Sequence, residues 1–212
     1  ELKTMRAAGE AKLSAAKIED IEKNPELLAI ARAQGAAAFA NNCAPCHGAG
    51  AQGAVGYPNL NDDEWIWGGK LADIQQTIEH GIRWDADKDT RSGAMPAFGK
   101  EGTLKSDEIK NVAQYVRTLS GLPVEGGADV AKGKKVYADN CAACHGDEGK
   151  GTLELGAPNL TDKIWLYGST TAAIENRVNV GGGGQMPAWK DRLDPTTIKA
   201  LTVYVHSLGG GK

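Results

Sequence analysis

Cys43-Ala-Pro-Cys46-His47 and Cys141-Ala-Ala-Cys144-His145 together use all four cysteines of the 212-residue chain. Cys-x-x-Cys followed at once by His is a haem attachment signature. Two thiols about one helical turn apart can each form a thioether with a haem vinyl group. The next residue then turns its imidazole to the iron as the proximal ligand. No other feature constrains the fold as strongly, because the chain must enclose a porphyrin twice. A structural disulfide or a thioredoxin-like redox pair needs no His in that place. A four-cysteine zinc site sets its pairs roughly 15–20 residues apart, far closer than these two.

The motif is one part of a longer internal repeat, which has to be read before any fold is assigned. Phe39-Ala-Asn-Asn-Cys43 matches Tyr137-Ala-Asp-Asn-Cys141, and Pro58-Asn-Leu60 matches Pro158-Asn-Leu160. Trp65-Ile-Trp-Gly68 then matches Trp165-Leu-Tyr-Gly168, and Met95-Pro-Ala-Phe98 matches Met186-Pro-Ala-Trp189. The run from Val112 to Leu119, with Tyr115, matches that from Leu201 to Leu208, with Tyr204. The order is the same in both copies, so this is a tandem duplication. We expect a charged helical stalk or leader over 1–28, a first domain over 29–121, a Pro/Gly linker at 122–127 and a second domain over 128–209.

Helix signals fill each copy. Asn24-Pro25 caps and opens a helix. Middle helices are expected over 73–79 and 172–178. Ser106 is the expected cap of a helix over 107–119, and Asp194-Pro195 opens one that runs to Leu208. Ile109, Val112, Val116 and Leu119 recur at helical spacing, as do Ile198, Leu201, Val205 and Leu208, and form core faces. Gly35-x-x-x-Phe39 and Gly133-x-x-x-Tyr137 each let another helix approach closely beside a ring, with Tyr115 and Tyr204 as counterparts. Net charge is −3, so no basic footprint suggests nucleic acid. Residues 1–28 carry only a thin apolar face (Leu2, Met5, Leu13, Ile18, Ile21, Leu27 and Leu28) and read as a surface helix.

The sixth iron position separates electron transfer from catalysis. Met95 and Met186 occupy matched places in Gly-rich Met-Pro loops, and a thioether ligand both raises the potential and closes the coordination sphere. Axial iron ligation is therefore assigned to His47, Met95, His145 and Met186, and covalent attachment to Cys43, Cys46, Cys141 and Cys144. Pairing within each half is the default, and exchange of the Met loops between halves stays open. Pro58 and Pro158 carbonyls are candidates to receive the outer N–H of each proximal His. Asn59 and Asn159 stabilise that turn, while Trp65, Trp67, Trp165 and Tyr167 pack on the porphyrin or bond a propionate. His80 and His206 read as structural. The first copy holds nine extra residues between Gly81 and Met95, with Arg83, Asp85, Asp87, Lys88, Asp89 and Arg91 among them. A solvated loop is the plainer reading of this charge run, and a partner-contact surface the sharper one.

Taken together, these markers resemble class I cytochrome c domains, and more closely subunit III, the dihaem subunit, of cbb3-type cytochrome c oxidases. The matching features are Tyr57-Pro-Asn-Leu60, Asp63-Glu-Trp-Ile-Trp-Gly-Gly69, His80-Gly-Ile-Arg83, Gly93-Ala-Met-Pro-Ala-Phe98, and in the second half Leu155 to Leu160 with Trp165 to Ser169. The resemblance implies an all-α fold of two tandem cytochrome c domains, each a small helical fold around a covalently bound haem c. It implies an electron relay, not catalytic alone, that draws on a soluble cytochrome c or a quinol-oxidising complex. The acceptor would be the oxygen-reducing catalytic subunit of an oxidase that also has a monohaem subunit and pumps protons. The family has an N-terminal membrane anchor, placing the protein on the periplasmic side of the bacterial inner membrane. No apolar run here approaches the ~20 residues of a spanning helix, and the chain opens on Glu1, so a mature form or fragment is expected. A free periplasmic dihaem shuttle and a dihaem peroxidase or thiosulfate-oxidising enzyme are the alternatives.

Overall fold

The computed structural model describes residues 2–209, with side chains from residue 8 onward, so Leu2 and Met5 lie outside the described side chains. Among the described residues every regular element is helical, and paired extended backbone occurs only as isolated bridges. In order these are α1 (Leu2–Ala15), α2 (Ile18–Ile21), α3 (Pro25–Asn42), α4 (Ala44–His47), α5 (Leu71–His80), α6 (Ser106–Leu119), α7 (Val130–Asn140), α8 (Ala142–His145), α9 (Thr171–Val180) and α10 (Pro195–His206). A short 3-10 turn spans Leu153–Leu155.

The helix starts follow local chemistry. Asn24 Oδ1 accepts from the N–H groups of Glu26 and Leu27 at 3.0 and 3.2 Å, and Pro25 supplies a first residue already near helical φ. Asp194 does the same for Thr196 and Thr197 at 2.9 and 3.0 Å. Ser106 is not a cap but the first helical residue of α6. Its place is taken by Lys105, whose backbone N–H donates to the Glu108 carboxylate at 2.8 Å. A carboxylate in the positively polarised first turn satisfies the N-cap N–H and favours the helix dipole.

The repeats in sequence and the compact units in space are different partitions. One unit comprises Glu1–Arg91 with Gln185–Lys212, and the other comprises Ser92–Gly184. The division expected at 122–127 therefore falls inside the second unit. Three bonds pin that segment there. Arg117, buried, donates to the Pro123 carbonyl at 3.2 Å and to Glu125 at 2.7 Å, and Gln114 Oε1 accepts from the Glu125 N–H at 2.8 Å. A glycine-rich composition made this stretch look like a free connector, whereas its one acid and one proline are held by buried polar side chains of α6.

In the first unit α3 packs on α10. Gly35 makes the crossing possible, since a Cβ there would collide with the Ala200 carbonyl and the Tyr204 Cβ. One turn on, Phe39 lies 5.5 Å from the Tyr204 ring at 57°, the tilted geometry that aromatic pairs favour. In the second unit α6 packs on α7 in the same manner. Gly133 faces the Asn111 carbonyl, and the rings of Tyr115 and Tyr137 lie 5.2 Å apart at 58°. The Gly–aromatic pairs thus meet the expected tyrosines, each taken from the opposite copy.

The leader is not a solvated stalk. Leu13 and Ile21, both 0% exposed, join Ala31, Ala200 and Val203 in a core of their own. Lys199 Nζ donates to the carbonyls of Leu13, Ser14 and Ala16 at 3.1, 2.9 and 2.6 Å, closing the C-terminal end of α1 with a cation. His206 meets Glu22 at 2.6 Å, and the structural reading of this histidine fits. Leu13 and Ile21, joined by the partly buried Ile18, Leu27 and Leu28, make a thin face, yet it suffices because Ala31 of α3 and Ala200 and Val203 of α10 receive it.

Candidate functional site

Both attachment motifs sit at the same turn of the fold. Cys43 ends α3, with its N–H bonded to the Phe39 carbonyl at 2.8 Å, and Cys141 ends α7 on Tyr137 at 2.8 Å. The single turns α4 and α8 then carry Cys46 with His47 and Cys144 with His145. Each pair of cysteines and its His are thereby held within one helical turn. His47 Nδ1 donates to the Pro58 carbonyl at 3.0 Å, and His145 Nδ1 to the Pro158 carbonyl at 3.0 Å. Each ring is fixed in orientation, and Nε2 is the atom available to a metal. Burial pushes both imidazoles below their ordinary value, which the proline carbonyls offset in part. The neutral form is the one that binds iron.

The proline turns are held as expected: Asn59 Oδ1 accepts from the Asn61 N–H at 2.9 Å, and Asn159 Oδ1 from the Thr161 N–H at 2.9 Å. The four cysteines form no disulfide. Burial, with the neighbouring thiol adding to it, pushes Cys43 and Cys141 up to about 11. A redox-active Cys-x-x-Cys has the opposite property, a thiol pKa lowered toward neutrality.

The methionines reach these sites by an exchange. Met186 packs with Cys43, Ala44, Leu60 and Trp65 against the core of Phe39, Ile74, Ile78 and Leu201. Met95 packs with Ala142, Leu160 and Trp165 against Tyr137, Cys141, Ile174 and Val178. His47 shares its unit with Met186, and His145 with Met95, the reverse of their order along the chain. The cause is in the backbone. At the end of each middle helix a glycine (Gly81, φ 69°; Gly181, φ 58°) turns the chain into the left-handed region. The residue after it pairs with the Met loop of the other copy: Ile82 with Met186, and Gly182 with Met95. A Cβ at Gly81 would strike the Met186 carbonyl, and one at Gly181 the Met95 and Pro96 carbonyls.

The residues present fit a haem. Trp65 Nε1 is the buried side-chain nitrogen without a hydrogen-bond partner among the described residues. An indole N–H is seldom left so in an apolar core, and a propionate oxygen would satisfy it. Sequence reasoning missed the matching cations. Arg91 stacks over Trp67 at 5.3 Å, and Arg177 over Tyr167 at 3.5 Å. The repeat places Thr77 where Arg177 stands, and Arg91 Nε donates to Thr77 Oγ1 at 2.9 Å. The insertion thus returns to the first unit the guanidinium that its own middle helix lacks.

A sequence model of the family described as cytochrome C oxidase, cbb3-type, subunit III, matches residues 31–116 and again 128–205. The cbb3-type cytochrome c oxidase subunit FixP of Bradyrhizobium diazoefficiens is 60% identical over 211 residues, covering 100% of this chain and 72% of that protein. FixP of Azorhizobium caulinodans is 59% identical over 212 residues, 100% of this chain and 71% of its own length. The subunit CcoP of Cereibacter sphaeroides is 48% identical over 192 residues, 91% of this chain and 66% of that protein. Such identity across the whole chain, with both copies matched in order, carries the two-domain helical architecture, and the chain belongs to the subunit III family of cbb3-type cytochrome c oxidases.

Proposed function

We propose that this chain holds two haem c groups and relays electrons within a cbb3-type oxidase. The donor is a soluble cytochrome c or a quinol-oxidising complex, and the acceptor is the catalytic subunit that reduces oxygen. The first haem is attached by Cys43 and Cys46 and ligated by His47 and Met186, the second by Cys141 and Cys144 and ligated by His145 and Met95. When bound, haem c supplies an iron that takes up and gives back one electron. The chain's residues keep that iron closed to other ligands: His47 and His145 are fixed by proline carbonyls, and each unit packs one methionine into the core beside its attachment helix. The observation that carries the reading is this one-to-one placement of methionine with attachment motif, which suits electron transfer rather than peroxide or oxygen chemistry. The protein acts at the periplasmic side of the inner membrane. No helix among the described residues is long and apolar enough to cross a membrane, and attachment comes through the oxidase and a family-type N-terminal anchor.

The test is to solubilise native membranes gently, capture this protein by antibody and measure oxygen uptake with reduced cytochrome c. Cyanide-sensitive uptake with co-purifying b-type haem is the expected result. A clean two-haem c spectrum with no other subunit would make the chain a free carrier and overturn the assignment to an oxidase.

A further inference from the structure

The insertion of the first copy, residues 83–91, folds back on its own unit. Arg91 closes its base: its N–H donates to the Gly81 carbonyl at 3.3 Å, and its carbonyl accepts from Arg83 at 2.7 Å. Trp84 N–H donates to Thr90 Oγ1 at 3.1 Å and tightens the loop. At its centre Asp87 turns inward, with its side chain 3% exposed. That carboxylate meets Lys190 Nζ at 2.9 Å and His80 Nδ1 at 3.1 Å, and it accepts from the Asp89 N–H at 2.8 Å. Asp85, Lys88 and Asp89 remain exposed, so only part of the charge run is solvated.

Lys190 stands on the segment that brings in Met186. The insertion holds that segment at a second place, where the Arg192 guanidinium lies 5.6 Å from the Trp84 ring and 5.5 Å from the Trp189 ring. These grips add to backbone bonds from Trp189 and Lys190 to the Ile78 and Glu79 carbonyls, at 3.1 and 3.2 Å, which end α5. The second unit keeps a backbone bond of this kind, from Lys100 to the Asn179 carbonyl at 3.0 Å, and has no equivalent of the carboxylate grip. In the repeat, Val180 stands where His80 does and Gly99 where Lys190 does, and nothing corresponds to Asp87.

We propose that Asp87 is a positioning residue for Met186, gripping Lys190 and His80 so that the thioether of the first haem is held more firmly than that of the second. This rests on the ligation of the first haem by Met186. A neutral side chain at 87 would leave Lys190 without its ion pair and the Met loop tied by its backbone bonds and the Arg192–Trp84 contact. Around the carboxylate stand Glu79 and His80 from α5, Asp89 from the insertion, and Lys190, Asp191 and Arg192 from the returning segment. The Lys190 bond, ahead of the Asp89 N–H and His80, holds Asp87 down to about 2, and the same bond raises Lys190 above 10.5. Both partners are charged between those limits, so the grip lasts over roughly pH 4 to 10.

The experiment uses the full holoprotein and its Asp87→Asn, Lys190→Met and Lys190→Arg variants. For each, the methionine-to-iron charge-transfer band is followed as pH is raised, with the two reduction potentials measured at neutral pH. Met186→Ala and Met95→Ala assign the bands. Expected for D87N and K190M is loss of one haem's band at a pH lower by about one unit or more, with a lowered potential at that haem and carbon monoxide binding to it when reduced. The other haem and the helical circular dichroism stay as in the parent, and K190R restores the parent profile. Parent-like band and potential in both D87N and K190M would overturn the proposal and leave Asp87 a loop staple. If M186A instead spares both bands, the ligation reading itself has failed.

Discussion

Ile82 and Met186 exchange both of their backbone hydrogen bonds, at 2.9 and 3.0 Å, although they belong to different copies of the repeat. Gly182 and Met95 make the reciprocal exchange at 2.7 and 3.3 Å. Each methionine is thereby presented by a turn from the opposite copy, and four predictions follow from this arrangement and the cores around it.

Methionine variants should act on the haem of the other copy. In a chain whose first attachment motif is removed by Cys43→Ala with Cys46→Ala, Met95→Ala should still abolish the remaining methionine-to-iron band. The potential should fall by on the order of 0.1 V, a fraction of the ~0.8 V that axial ligation commands. Met186→Ala in that background should leave the band in place. The reverse outcome would restore pairing within each half.

The same double cysteine variant removes the apolar centre of the first unit, and small units bury too little surface to stand without it. Amide exchange should then lose protection in α3 and α5 and, far along the chain, in α10, while α6 keeps its own. Loss in α6 with α10 spared would contradict the crossed packing.

Gly35→Ala and Gly133→Ala should destabilise. Alanine gains about 1 kcal/mol over glycine in a helix, but the added Cβ would meet the Ala200 or the Asn111 carbonyl, both backbone atoms that cannot step aside. Overpacking of this kind costs roughly 1–3 kcal/mol, so the net sign is a lowered Tm, read by thermal unfolding of each variant. Equal or higher stability would mean that the helix crossings are looser than described.

Acid should weaken the first unit in a defined window. Asp87 is held down to about 2, first by Lys190, and Asp194, capping α10, is held below its ordinary value of 3.8 by Thr197. A carboxylate lowered in the folded state stabilises fully above its unfolded value and loses that contribution as pH falls through the folded one. Stability should therefore decline from about pH 4 toward pH 2, with D87N showing a flatter slope. Denaturant midpoints across that range would check it, and an unchanged slope in D87N would deny the buried ion pair any part.

The sequence makes the helices, the attachment sites and the proline partners legible because each depends on residues close in the chain. His47 reaches Pro58 by a short loop, and Asn24 or Asp194 caps the helix that begins beside it. The exchange was hidden for a physical reason. Gly35-x-x-x-Phe39 and Gly133-x-x-x-Tyr137 are interchangeable in shape, and so are Tyr115 and Tyr204, so either pairing satisfies the same local pattern. Asp87 read as part of a solvated charge run, and Lys199 drew no reading, since their partners, Lys190 and the α1 carbonyls, lie far off in sequence. The long insertion was the one visible sign that the two copies are not equivalent, and in it Asp87 and Arg91 face inward where composition alone suggested water.

The crossed units also set an order of assembly. The first attachment motif is made well before α10 and Met186, which complete its surroundings. The stretch from Ser92 to Gly184 is continuous and can close on itself first. The earliest haem site must therefore wait, open, through synthesis of the whole second copy. A nascent chain arrested before residue 185 would hold one unit complete and the other without α10 and Met186, which makes late truncation far more damaging to the first attachment site than to the second.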